Sequence, residues 1–246
     1  MNIDIAEAKS ELVPTGRLRA AINRGNGILV QTNPVNGELS GVTLDLARAA
    51  AARLGVPVDL VIYDGAGKVF DALERKEWDI AFLAIEPVRA AEIEFTAPYV
   101  VIEGIFVVPD GSPVTKIEDV DKPGNRISVV KGSAYDLYLT RTVKHATVVR
   151  AASGPESMNS FVNDKLEAIA GIRQTIVGLM KGHPGLRVVE PPFMAIRQAM
   201  GTPKGRLAGV AFLKSFIEEM KASGAVAESL RRGNQHEAVV APPAAD

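Results

Sequence analysis

The sequence predicts an α/β protein made of two Rossmann-like lobes, and three observations carry this prediction. Short apolar segments alternate with amphipathic ones along nearly the whole chain, which is the pattern of a parallel sheet covered by helices. Several apolar segments are nearly continuous, as in strands that are buried on both faces. The alternation stops at a polar interval, residues 110–125, and then begins again. With 246 residues, the chain is long enough for two cores of about 100 residues each.

The first half of the chain predicts a lobe of three strands and two helices. The strand patterns are GILVQT, VPVDLVIY and DIAFLAI, and the last is almost entirely apolar. The helix pattern GVTLDLARAAAARLG lies between the first two strands, with Thr43 as its candidate N-cap and Gly55 as its stop. A second helix is predicted at GKVFDALERKEW.

The second half repeats this alternation after the polar interval. Its strand patterns are RISVV, ATVVRA, EAIAG, LRVVE and MAIRQAM. The helix patterns are SAYDLYLTRTV, GPESMNSFVND and RQTIVGLMK, followed by a long helix within KGRLAGVAFLKSFIEEMKASG and a short one at AVAESLRRG. In the long helix, Leu213, Phe216, Ile217 and Met220 have the spacing of a buried face. A second α/β lobe is therefore predicted.

The composition excludes several classes of function. A formal net charge of -1 and a pI near 6.3 provide no basic surface for nucleic acid, which we do not expect as a partner. The chain has no cysteine, so disulfides and thiolate metal ligands are ruled out. Its three histidines, His145, His183 and His236, share no metal-ligand spacing. We therefore predict no metal site and no cofactor.

Neither a secretory signal nor a membrane-spanning segment is predicted from this sequence. The N-terminal stretch MNIDIAEAKSELVPTG is acidic and lacks the basic and apolar regions of a signal peptide. No apolar stretch reaches about 18 residues, because Glu103 interrupts the most hydrophobic segment. The protein would be cytoplasmic if the chain is complete, and exported if a signal has been removed.

Candidate binding residues come from the ends of the predicted strands. Ligands of open α/β sheets bind at the carboxyl ends of strands, so two lobes are expected to share a cleft there. The segments that follow strands are residues 31–34, 84–89, 131–134 and 171–174. In the second segment, Arg89 is a lone guanidinium whose planar fork of donors fits a carboxylate. In the third, Gly132 and Ser133 open a helix whose N-terminus favours an anion.

Four segments resemble a single family, in order and over nearly the whole chain. They are GVTLDLARAAAARLG, DALERKEWDIAFLAIEPVRAAEIEFTAPYV, KIEDVDKPGNRISVVKGSAY and FLKSFIEEMKASGAVAESL, and the resemblance runs from Thr15 to Gly233. The family is the type II periplasmic solute-binding proteins of polar amino acid ABC importers, solute-binding protein family 3. The resemblance implies a periplasmic-binding-protein type II fold, in which two hinge strands join the lobes. Lobe 1 would then be residues 1–105 plus 196–246, and lobe 2 would be residues 106–195.

The resemblance also implies a function. The chain would be the periplasmic solute-binding component of an ABC-type importer and not an enzyme. It would close as a monomer around a small carboxylate-bearing solute and present it to the membrane subunits of the importer. Arg89 matches the arginine with which the family binds the ligand carboxylate, and Gly132 and Ser133 match its Gly-Ser/Thr turn.

Departures from the family pattern leave the ligand class open. Ala84 and Glu86 stand where the family often has Thr or Ser, so only their backbone groups would serve. Amino acid binders tend to have an aspartate for the α-ammonium group where this chain has IRQ, with Arg173 at its centre. From these departures we expect a ligand that lacks an amine, or one that carries a second anionic or carbonyl group facing Arg173 and Lys131. The family resemblance itself implies an amino acid, so an amino acid and an amine-free organic acid both stay open. The predicted ligand-binding residues are Arg89, Ser133, Gly132, Lys131, Ala84, Glu86, Asn33, Ala134, Arg173 and Gln174.

Other interpretations are open from the sequence. Arg89 could instead pair with Glu86 or Glu92, and the predicted anion-binding turn could be only a helix start. A cyclohexadienyl dehydratase-like enzyme uses a similar scaffold and needs a carboxyl group as general acid, for which Glu86 and Glu103 are the candidates. A ligand-sensing domain would use the same clamp to report to a partner.

Overall fold

A computed structural model describes residues 4–245, which divide into two compact α/β units. The first unit comprises Met1–Val101 and Arg197–Asp246, and the second comprises Ile102–Ile196. The chain passes from one unit to the other in two long strands, β6 (Ile93–Pro109) and β10 (Leu186–Pro203). The predicted fold class, two α/β lobes joined by two strands, is confirmed.

Helices and strands alternate along most of the described chain. A short 3-10 helix covers Ile117–Asp119. The α-helices are α1 (Ile5–Leu12), α2 (Val42–Leu54), α3 (Ala66–Asp71), α4 (Pro87–Ala90), α5 (Ala134–Thr142), α6 (Gly154–Asn163), α7 (Arg173–Met180), α8 (Leu207–Ala222) and α9 (Ala225–Arg232). The other strands are β1 (Leu18–Asn23), β2 (Gln31–Thr32), β3 (Leu39–Ser40), β4 (Val58–Tyr63), β5 (Ile80–Ala84), β7 (Arg126–Val130), β8 (Thr147–Ala151), β9 (Ala168–Ile172) and β11 (Val239–Val240).

In the first unit, the parallel strands β4, β1 and β5 lie side by side in that order, and β10 runs antiparallel beside β5. Ala20 of β1 pairs with Ile80 of β5. The core includes Trp78, Val69 and Leu83, and the Trp78 indole donates to the Val69 carbonyl at 2.9 Å. Because β1 and β5 are parallel, the segments that follow them start at the same edge of the sheet.

In the second unit, β7 lies between β8 and β9, with all three strands parallel, and β6 runs antiparallel beside β9. Ile127 of β7 pairs with Ala168 of β9. Ile105, Phe161 and Ile169 belong to the buried core. The segments that follow β7, β8 and β9 therefore also start at one common edge.

The first strand of the sheet differs from the prediction. β1 covers LRAAIN, for which the sequence pattern predicts no strand, whereas GILVQT contributes only the two-residue β2. The apolar residues before β2 form a turn, in which the amides of Leu29 and Val30 both donate to the Asn26 carbonyl. The sequence did not predict β1 because the charge of Arg19 interrupts its apolar pattern. The Arg19 side chain leaves the sheet to bond the buried carboxylate of Asp79.

Smaller differences concern the ends of elements. The N-cap of α2 is Gly41, with a φ of 121°, and not Thr43, which is buried in the first turn. A Cβ at Gly41 would lie 2.5 Å from the Leu29 carbonyl oxygen, so this close approach requires glycine. α3 ends at Asp71, and the patterns LRVVE and MAIRQAM belong to the single strand β10. The sequence patterns do not predict α1 and β11.

An ion pair at the start of β7 gives a testable pH dependence. Arg126 donates from its amide and from Nε and Nη2 to the Glu167 carboxylate, at 2.7 to 2.9 Å, and this bonding lowers the Glu167 pKa. The folded state is therefore stabilised above the unfolded pKa, near 4.5, and the contribution is lost as the pH falls through the depressed folded pKa.

We expect Glu167→Gln to lower the free energy of unfolding by about 0.5–1 kcal/mol at pH 7, since the pair is partly exposed. At pH 3 the difference from the unmodified protein is expected to shrink, because Glu167 is then largely protonated in the unfolded chain. Urea unfolding at the two pH values measures both differences. Equal destabilisation at pH 7 and pH 3 would contradict the assignment.

Candidate functional site

Arg89 is a buried cation just after the end of β5. It lies in α4 and is only 1% exposed. Its Nη1 donates to the Ala84 carbonyl at 3.0 Å. Burial lowers the Arg89 pKa to about 10, and the negative charge of Glu86 offsets part of this effect. The guanidinium therefore keeps its charge at neutral pH.

Ala84 and Glu86 support the Arg89 segment through their backbone. The Ala84 carbonyl accepts from Arg89, and the Glu86 carbonyl accepts from the amides of Arg89 and Ala90 at 3.0 and 2.8 Å. The Glu86 side chain is itself buried. The Ala84 carbonyl thus helps to position the guanidinium, and the Glu86 carbonyl holds the backbone of α4. Contact of either residue with a ligand stays a prediction.

The sequence predicted that residues 31–34 follow the strand next to β5, and the structure shows a different segment there. Ala21 of β1 pairs with Ala81 of β5, so Arg24 is level with Ala84 when this register is continued. The loop of residues 24–30 therefore follows the strand end at this edge. Asn33, in contrast, lies in the exposed turn of the β2–β3 hairpin, where its Oδ1 accepts from the Val35 amide at 2.8 Å.

The prediction for Asn33 therefore rested on a strand end that does not exist. The residues that sequence reasoning missed at this edge are those after LRAAIN, including Asn26, which is buried and accepts from the Ile28 amide. Recognising LRAAIN as a strand despite its arginine would have identified them.

In the second unit, the turn after β7 is fixed by a carboxylate of the chain itself. Ser133 is the N-cap of α5 and its Oγ accepts from the Asp136 amide at 3.0 Å. Gly132 has a φ of 70° and its amide donates to Asp136 Oδ2 at 2.8 Å. The buried Asp136 is held in turn by Arg150 at 2.9 Å.

In this arrangement Asp136 accepts from the Gly132 amide, and a contact of Gly132 with a ligand stays a prediction. The amides of Ala134 and Tyr135 belong to the first turn of α5 and have no acceptor within the helix. An anion at this helix start would rely on these amides, on the helix dipole and on the Ser133 hydroxyl.

Two predicted segments of the second unit lie side by side. The register of β7 with β9 makes Lys131 level with Ile172, so the segments 131–134 and 172–174 are neighbours at this edge. Lys131 is exposed. The Gln174 Oε1 atom is buried and has no hydrogen-bond partner among residues 4–245. The structure therefore brings Lys131, Ser133 and Gln174 together beyond the strand ends of the second unit.

Arg173 is engaged by two carboxylates of the chain. Its Nε donates to Glu103 of β6, and its Nη1 and Nη2 donate to the two Glu190 oxygens at 2.7 and 2.8 Å. These bonds raise the Arg173 pKa and lower that of Glu190. Glu103 and Glu190 therefore already pair with the Arg173 charge, and a contact of Arg173 with a ligand stays a prediction.

Residues 4–245 contain no group of His, Cys, Asp and Glu side chains arranged to hold a metal ion. No helix in the same range combines the length and apolarity needed to cross a bilayer.

Two α/β units joined by two long strands, with candidate binding residues after the strand ends of each unit, have the architecture of the periplasmic-binding-protein type II fold. The chain belongs to the bacterial extracellular solute-binding proteins, family 3, whose family model matches residues 30–232. The family resemblance drawn from the sequence is confirmed.

Individual relatives of this chain are distant. A probable histidine-binding protein of Neisseria gonorrhoeae is 24% identical over 195 residues, which are 76% of this chain and 72% of that protein. A mutant of ArgBP from T. maritima superposes with a TM-score of 0.77 at 21% identity, covering 93% of this chain and 100% of that one. The ancestral amino acid-binding protein AncCDT-1, a precursor of cyclohexadienyl dehydratase, gives a TM-score of 0.74 at 21% identity, covering 91% and 97%. At these identities the structural similarity establishes the fold.

Proposed function

We propose that this protein is the solute-binding component of an ABC-type importer and that it closes around a small solute with a carboxylate. Arg89 carries the proposal, because its guanidinium is almost fully buried, stays charged at neutral pH and lies in the short helix that follows β5. A buried cation is strongly favoured next to an anion, and a bidentate guanidinium–carboxylate pair is strong where water is excluded. Family membership supports the role in transport.

The second unit would contribute donors for the same class of ligand. Ser133 and the first-turn amides of α5 favour an anion, as does the nearby ammonium of Lys131. Ala134 and Gln174 are proposed as further contacts, the latter because its buried amide oxygen would accept a hydrogen bond from a ligand donor.

The ligand is proposed to be an amino acid or an amine-free organic acid. The name of the relative from Neisseria gonorrhoeae, a probable histidine-binding protein, supports an amino acid. The apolar Ile172, in place of an aspartate for an ammonium group, supports an amine-free acid. Arg173 does not favour a diacid, because the two carboxylates of Glu103 and Glu190 already pair with it.

We propose a binding role and not a catalytic one. Of the two candidate general acids, Glu103 is bound to Arg173, and Glu86 neighbours the Arg89 cation. Neither lies in an arrangement typical of proton transfer to a bound ring. The protein is further proposed to act outside the cytoplasm as a monomer, since the family is described as extracellular and a hinged clamp needs no second copy.

A thermal-shift panel tests the proposed ligand class. We would screen the natural amino acids together with keto, hydroxy and dicarboxylic acids, and compare each acid that binds with its amide. The cognate acid is expected to raise the melting temperature by about 5–10 °C at a hundredfold excess over its Kd. Its amide is expected to give little shift, because Arg89 requires the negative charge. Equal shifts with acid and amide, or no shift with any acid, would refute the proposal.

A further inference from the structure

The two connecting strands are fastened close to both sides of the boundary between the units. The boundary falls after Val101 in β6 and after Ile196 in β10. Residues that are held on either side of these points limit how much of each strand is able to bend.

On the first-unit side, the C-terminal segment fastens β6. Val239 and Val240 of β11 pair antiparallel with Val101 and Val100, and the Ala241 amide donates to the Tyr99 carbonyl at 3.0 Å. We name residues 239–242 the C-terminal brace.

A buried lysine secures this brace to the neighbouring segment. The Lys221 side chain is 5% exposed, and its ammonium donates to the carbonyls of Pro98 and Pro242 at 3.2 and 2.8 Å. β10 is fastened separately, since the Arg197 carbonyl accepts from the Ile85 amide at 2.9 Å. The first unit therefore holds β6 up to Val101 and β10 from Arg197 onward.

On the second-unit side, Arg173 ties both strands to α7. Its guanidinium bonds Glu103 of β6 and Glu190 of β10 at once. Gly104 of β6 pairs with Ile172, the residue that precedes Arg173. The second unit therefore holds β6 from Glu103 onward.

Side-chain packing extends this hold along β10. Phe193 stacks on Phe106 with ring centroids 4.2 Å apart. Met194 lies so close to Gly104 that a Cβ there would be 2.6 Å from its Cγ. β10 is therefore held by the second unit up to Met194.

We propose that bending of the connecting strands is confined to Ile102 in β6 and to residues 195–196 in β10, and that Arg173 and the C-terminal brace are the positioning elements that confine it. Short flexible points give closure a defined direction, because large φ/ψ changes are absorbed by very few residues. That this bending serves ligand capture rests on the proposed function. The bending itself requires no ligand.

Distance measurements between the units test this inference without a ligand. The chain has no cysteine, so Lys214→Cys in α8 and Asn159→Cys in α6, both exposed, would carry one spin label in each unit. Pulsed electron paramagnetic resonance then gives the distribution of distances. We expect Arg173→Gln, and truncation after Glu237, each to broaden this distribution roughly twofold.

Arg126→Gln is the matched control. It removes an arginine–carboxylate pair of similar geometry in the same unit, away from the connecting strands, and we expect it to leave the width unchanged. Arg173→Lys keeps the charge but loses the fork of donors, so it should broaden the distance distribution less than Arg173→Gln does. A graded effect of this kind would show that the broadening does not come from misfolding of Arg173→Gln.

Unchanged widths in Arg173→Gln and in the truncated chain would overturn the inference. Equal broadening in Arg126→Gln would also overturn it, because the effect would then be general loosening. The thermal-shift panel is independent of these results, so failure of the proposed function would be seen separately.

Discussion

Arg89→Ala is expected to weaken binding of the cognate carboxylate by on the order of 2–4 kcal/mol, which is a loss of about 30- to 1,000-fold in affinity. The reason is that the variant removes the buried positive charge at the end of β5 that would pair with the ligand. Isothermal titration calorimetry with the acid found in the panel measures the change. Undiminished affinity in Arg89→Ala would refute the assignment.

The same substitution is also expected to lower the melting temperature. Arg89 is fully packed and donates to the Ala84 carbonyl, so alanine leaves both a cavity and an unsatisfied acceptor. Arg89→Met fills much of the space without the charge and separates the two effects. Arg17→Ala, which removes an exposed arginine paired with Asp59, is a control that should leave ligand affinity unchanged.

Asp79→Ala is expected to lower the free energy of unfolding by about 3–5 kcal/mol. Asp79 is completely buried, and its carboxylate accepts from Nε and Nη2 of Arg19 at 2.9 and 2.8 Å. Arg206 approaches the same carboxylate at 3.4 Å. Removing it would leave two mostly buried guanidinium groups without their common counter-charge. Urea unfolding of the unliganded protein measures the effect.

Asp59→Ala provides the comparison for this prediction. Asp59 of β4 forms an ion pair with Arg17, which precedes β1, but both side chains are more than 40% exposed. Its loss should cost only about 0–1 kcal/mol. Similar destabilisation by Asp79→Ala and Asp59→Ala would contradict the explanation that burial makes the ion pairs of Asp79 with Arg19 and Arg206 more costly to remove.

The sequence predicted the second unit more accurately than the first, for a physical reason. RISVV is the whole of β7, and the apolar strands of this unit are bounded by helix starts such as the Ser133 N-cap. In the first unit, Arg19 broke the apolar pattern of β1 because its partner, Asp79, is distant in sequence. Local patterns do not show a charge that is compensated by a residue 60 positions away.

The candidate site was predicted in part for a similar reason. Arg89 was found because its lone charge follows an apolar strand, and its burial agrees with a role beyond a surface ion pair. The sequence did not show that Asp136 bonds Gly132 and that Glu190 bonds Arg173, because these contacts form only when the chain is folded. Which of these side chains contact the ligand stays a prediction.

Native mass spectrometry of the purified protein tests the central claim most directly. The sample is the protein incubated with the acid identified in the thermal-shift panel, alongside Arg89→Met under identical conditions. We predict one small carboxylic acid bound per protein chain, released on denaturation, and largely absent from Arg89→Met. Equal occupancy in the Arg89→Met variant, or equal binding when the amide of the acid is added in its place, would contradict the account.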